Sequence, residues 1–69
     1  MTDLEKLRKV IENSGLRFNY IAKNLNLSRE TLYHKLDGKT EFKVSEVNKL
    51  TKILNMDNDT RNSIFFGDL

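Results

Sequence analysis

Apolar residues return along the chain at three- and four-residue intervals, in stretches separated by polar residues that favour caps and turns. Leu4, Leu7, Val10 and Ile11 form the first stripe and predict a helix from about Asp3 to Ser14. Thr2-Asp3-Leu4-Glu5 matches a capping box, with Thr2 reaching forward to a free amide and Glu5 reaching back, and Gly15 supplies a left-handed stop. Ile21, Ala22 and Leu25 predict a second helix over about Phe18 to Leu25, and Leu32 and Leu36 a third over about Arg29 to Leu36, followed by a turn at Asp37-Gly38-Lys39-Thr40. Val44, Val47, Leu50 and Leu54, widened by Ile53, mark a fourth helix from Ser45 to about Leu54, which Asn55 terminates. Asp57 or Asn58 can cap a last short helix ending in Ile64-Phe65-Phe66, after which Gly67, Asp68 and Leu69 should fray. No segment alternates with period two for more than a few residues. The expected fold class is therefore all-α, a compact bundle of four to five short helices, with residues 1–69 forming one domain.

The join between the second and third helices is the most informative part of the pattern. Ala22 is small enough to let a second helix cross closely, Leu27 plugs the corner, and Asn26 stands where the chain must turn and can adopt a left-handed conformation. Ser28 then offers its hydroxyl to the free amides of the third helix. This is the layout of a helix-turn-helix over about residues 17–37. With Leu32 and Leu36 turned inward, the third helix leaves Arg29, Glu30, Thr31, Tyr33, His34 and Lys35 outward, a surface suited to base edges.

A 69-residue chain has a small core and gains from loop economy or from a partner. It has no cysteine, so disulfides and thiolate metal sites are excluded, and a single histidine gives no basis for a metal centre. No apolar run is long enough to span a bilayer, and the opening Met-Thr-Asp-Leu-Glu lacks the order of a signal peptide; the expectation is a cytoplasmic protein without a membrane partner. The formal charge of +2 is unevenly placed. Arg17 to Lys39 carries five basic against two acidic residues, whereas Glu41 to Leu69 carries four against five, so the positive field coincides with the motif, as attraction to phosphate requires.

Ser14-Gly15-Leu16, Ile21-Ala22-Lys23-Asn24-Leu25, Leu27-Ser28 and Asp37-Gly38-Lys39 together resemble the lambda repressor and Cro-like helix-turn-helix family, also called the XRE family. Lys35-Leu36-Asp37-Gly38-Lys39-Thr40-Glu41-Phe42 and the Ile64-Phe65-Phe66 ending are similar to a subgroup from phages of Gram-positive bacteria. Four positions depart from the family pattern. Asn26 replaces the usual turn glycine, Arg17 stands where threonine or serine often caps the second helix, and Phe18 replaces a common phosphate-contacting glutamine. Lys35 stands where many members bury an apolar residue, a role expected here to pass to Leu36.

The resemblance implies a third helix that enters the major groove of an operator in double-stranded DNA, in a regulator of a phage lysis-lysogeny switch within a bacterial host. Arg29 would bond guanine O6 and N7, Glu30 would accept from cytosine N4, Thr31 would meet a base edge or a thymine methyl, and His34 would reach guanine or phosphate. Arg17, Lys35, Lys39 and Lys43 would neutralise phosphates. Duller roles stay open beside these. Arg29 and Glu30 also serve as first-turn charges, His34 as a surface residue, and Tyr33 either contacts sugar or a partner or covers the helix-four end of the core. Phe42, Phe65 and Phe66 suit a core or an interface, and Phe65 and Phe66 are the candidates for self-association into a homodimer.

No second domain follows in this sequence, so affinity for a paired operator is expected to come from self-association or from another protein. The alternative function is an antirepressor or modulator that binds a phage repressor protein through its helix-turn-helix surface, where Arg29, Glu30, Tyr33 and His34 would act as interface anchors. An enzyme is not expected: there is no paired-carboxylate cleft, nucleophile elbow or phosphate loop, and neither cofactor nor small-molecule substrate is implied.

Overall fold

Each apolar stripe folds as a helix, opened and closed by the residues that flank it. The computed structural model describes residues 2–66, in the order α1 (Leu4–Ser14), α2 (Phe18–Asn24), α3 (Arg29–Leu36), α4 (Val44–Ile53) and α5 (Asn58–Phe65). No strand occurs among the described residues, and the protein is a small all-α bundle. The fraying expected of Gly67, Asp68 and Leu69 lies outside the described residues.

The helix starts follow cap chemistry. Asp3, not Thr2, caps α1: its Oδ1 accepts from the Lys6 N–H at 3.1 Å. Glu5 is then the second helical residue, one short of the position from which a capping box reaches back. Ser28 caps α3 and Asp57 caps α5, accepting from the Thr31 and Thr60 N–H groups at 3.1 and 2.7 Å. Arg17, at the head of α2, makes no side-chain cap bond. At α4 the Lys43 N–H is taken by the Glu46 carboxylate at 2.8 Å.

The helix ends are equally local. Asn26, Gly38 and Asn55 follow α2, α3 and α4 with φ of 57°, 82° and 53°. After each, the next N–H folds back on the helix: Leu27 donates to the Ala22 carbonyl, Lys39 to His34 and Met56 to Thr51, each at 2.9 Å. With the Asn26, Gly38 and Asn55 N–H groups bonded to Lys23, Lys35 and Lys52, these are Schellman closures. Gly15, with φ 73°, ends α1.

The interior has one fully buried side chain from every helix: Leu7, Ile21, Leu32, Leu50 and Ile64. Ala22, Leu25, Leu36, Val47, Leu54 and Phe65 complete the same cluster. Val44 does not join it. It begins α4 and is 75 % exposed, because Glu46 and Val47 take the inward places in the first turn. The main helix pairings are α2 with α3, α1 with α5, and α2 with α4. The Asp3 N–H also donates to the Ile64 carbonyl at 2.6 Å, joining the head of α1 to α5.

Candidate nucleic-acid interface

Ser28 fixes the start of α3 twice, since its hydroxyl accepts from the Thr31 N–H and donates to the Thr31 Oγ1 at 2.8 Å. With Leu32, Lys35 and Leu36 buried, the outer surface of α3 holds Arg29, Glu30 and Tyr33 exposed, with Thr31 and His34 half-buried. Glu30 in the first turn complements the helix dipole. Arg17, Lys23 and Lys39 are exposed around the motif, and Lys43 is exposed at the head of α4. Among the described residues none of these four, nor Arg29, forms an ion pair.

Tyr33 does not cover the α4 end of the core. Its ring stacks on Phe18 of α2, with centroids 4.2 Å apart and planes 24° apart, and the Arg29 guanidinium carbon lies 5.9 Å from the Tyr33 ring centre. Phe18, the first residue of α2, thus finds an aromatic partner on α3.

Lys35 is not a phosphate ligand in this fold. Its side chain is 7 % exposed, its Nζ lies 3.2 Å from the equally buried Glu46 carboxylate, and it donates to the Glu41 carbonyl at 2.8 Å. The ring of Phe42 stands 5.8 Å from the same ammonium. The positions Leu32, Lys35 and Leu36 are spaced i, i+3, i+4, so one inward stripe takes all three. Leu36 therefore joins Lys35 inside and does not replace it.

A family model described as "Protein of unknown function (DUF739)" matches residues 2–68. The chain belongs to the DUF739 family. No curated protein and no solved structure matches it.

In this DUF739 chain the two terminal phenylalanines separate. Phe65 is buried, edge-on to Phe42 with ring centres 5.9 Å apart, so it chiefly completes the core, and its remaining surface faces the groove beside it. Phe66 stays 43 % exposed and, with Phe42 and Val44, lines a groove of about 240 Å³ between the loop before α4 and the end of α5. Glu41 and Arg61 also line it and bring opposite charges. Among the described residues no group of three or more His, Cys, Asp or Glu could hold a metal ion, and no helix is long and apolar enough to cross a membrane.

Two contributors to the site carry no sequence signature. Arg8 of α1 donates to the Leu36 carbonyl at 3.1 Å and to the Asp37 carboxylate at 2.7 Å, fastening the far end of α3. Its partners lie 28 and 29 residues away, beyond any local pattern. Glu46 looks like an ordinary surface glutamate until the fold places Lys35 against it; the inward spacing of Lys35 was the available signal.

Proposed function

We propose that this DUF739 chain is a small Cro-like regulator of the XRE type that binds operator DNA through α3, within a phage lysis-lysogeny switch in the bacterial cytoplasm. The observation that carries this reading is the α2–turn–α3 unit. A left-handed Asn26 and a Ser28 cap hold α3 against α2, and the surface they leave outward has an arginine at its first residue with no acidic partner among the described residues. Arg29 and Glu30 are the base readers, with Thr31 and His34 at the margin of the contact. Arg17, Lys39 and Lys43 contact phosphates.

A single domain of this kind covers one half-site, and paired half-sites call for two copies. The second copy docks at the groove of Phe42, Val44 and Phe66, where Glu41 and Arg61 offer charges that a two-fold axis would pair twice.

The deciding experiment is a titration against the duplex between the gene and its divergent neighbour, at two salt concentrations, with and without the neighbour's product. Specific binding by the chain alone is expected, with log affinity falling by about 5 per tenfold rise in salt for two protomers that make three phosphate contacts each. Arg29→Ala should remove most of the sequence preference, above all at the base pair it reads, and leave the helical signal unchanged. Failure to bind duplex alone, with salt-resistant binding to the neighbour's product, would overturn the operator reading in favour of an antirepressor.

A further inference from the structure

Arg29 is the exposed arginine of the motif surface whose charge is held by a ring and by no carboxylate. The other cations that the fold restrains have polar partners: Arg8 has Asp37, Arg61 has Asn62, Lys6 reaches the Ser63 hydroxyl, and Lys35, though beside the Phe42 ring, is paired with Glu46. Arg29 instead lies at the end of a line that starts with Phe18, the first residue of α2, and passes through Tyr33. Phe18 is half-buried, so the far end of this line is anchored in the fold while the Arg29 end faces solvent.

We propose that Tyr33 is a positioning residue for Arg29, and that Phe18 and Tyr33 together set the specificity of the recognition helix by pre-orienting its guanidinium. The inference rests on the operator-binding reading above. A cation against a ring is held through its charge, which leaves the N–H fork free for a bidentate acceptor. A salt bridge would hold the same side chain only by occupying that fork. An arginine whose rotamers are already restricted also loses less freedom when it meets guanine O6 and N7. Arg29 and Tyr33 are four residues apart, so the contact is made within one helix and persists wherever α3 goes. Both the Phe18 and the Arg29 contacts are made by the Tyr33 ring and neither by its hydroxyl, so the ring is the part assigned the positioning role.

The test compares the full chain with Tyr33→Phe, Tyr33→Leu, Phe18→Leu and Arg29→Ala. Each is first checked by circular dichroism, and each then selects from a random-sequence duplex pool at one salt concentration. The base pair that Arg29 reads is the one whose preference disappears in Arg29→Ala. Tyr33→Leu is expected to weaken preference at that pair roughly three- to tenfold and elsewhere little, Phe18→Leu to do so more mildly, and Tyr33→Phe to keep it. In the free proteins, the Arg29 side-chain methylene proton shifts should be moved upfield by the ring in the parent and in Tyr33→Phe, and should relax in Tyr33→Leu. Unchanged shifts and unchanged discrimination in Tyr33→Leu would overturn the positioning role while leaving the operator reading intact. Equal losses in Tyr33→Phe and Tyr33→Leu would overturn it in favour of a direct hydroxyl contact. A parent chain that enriches no sequence would overturn both readings.

Discussion

Replacing Glu46 with glutamine isolates the charge of the buried Lys35–Glu46 pair, because the amide oxygen can still accept from the Lys43 N–H and from Lys35. Both side chains are 7 % exposed and their charges lie 3.2 Å apart. Removing one partner of a buried pair costs about 3–5 kcal/mol, since the other charge stays in the interior uncompensated. The retained hydrogen bonds place Glu46→Gln near the lower figure, about 3 kcal/mol. A 69-residue domain has only about 3–10 kcal/mol of total stability, so the variant should keep about 0–7 kcal/mol and its urea midpoint should fall by about a third or more. Adding Lys35→Met removes the stranded charge and fills the same channel with an unbranched side chain. Glu41 is an exposed residue, so its carbonyl, which loses its donor, can turn to water. The double variant should therefore return to within about 1 kcal/mol of the parent, or exceed it. Urea melts of the four proteins, followed by helical circular dichroism, measure the cycle. Repeating them in 0.5 M salt should change the coupling little, as buried pairs are poorly screened. A Glu46→Gln protein within about 1 kcal/mol of the parent, or a double variant no better than the single, would refute the argument.

At the corner between α2 and α3, Asn26→Gly should be neutral or slightly stabilising and Asn26→Ala should cost about 1 kcal/mol, because φ is 57° there; thermal melts decide it. Phe66→Ser should lower the association state seen by analytical ultracentrifugation without lowering the melting midpoint of dilute protein. Phe65→Ala should instead cost about 3–5 kcal/mol as a core deletion, and equal behaviour of the two variants would reject the separation of their roles. The Thr60 backbone and side-chain hydrogen bonds hold the Asp57 carboxyl below its usual value of 3.8. The folded state thus releases this proton more readily than the unfolded one. Its stabilisation is complete above pH 3.8 and is lost as pH falls through the folded value, so the gap in melting midpoint between the parent and Asp57→Ala should be constant at neutral pH and shrink below 3.8.

What the sequence made legible was local chemistry. The bounds of α3, Arg29 to Leu36, were readable because Ser28 and Gly38 bracket it, Asn26 marked a left-handed turn, and Asn55 marked the end of α4. The misplacements are of two kinds. Thr2 against Asp3, and Ser45 against Val44 as first residue of α4, are one-residue errors between neighbours of similar capacity. Lys35, Tyr33 and Phe65 are different, since each was assigned from its residue type and is placed by a partner distant in sequence. A lysine goes inside when a glutamate from α4 meets it, and a tyrosine leaves the α4 side when a phenylalanine of α2 offers a ring. Such pairings are decided by packing, which no window of neighbouring residues contains.

The five fully buried side chains, one per helix, meet in a single cluster. Withdrawing any helix would therefore open the same interior to water, and the slowest-exchanging amides of all five should share one opening free energy, that of global unfolding. Hydrogen exchange should find no partly open form that sheds α1 or α5 and keeps α3 in place. An eight-residue helix such as α3 is too short to persist alone in water, so its outward side chains hold their arrangement only while the whole chain is folded.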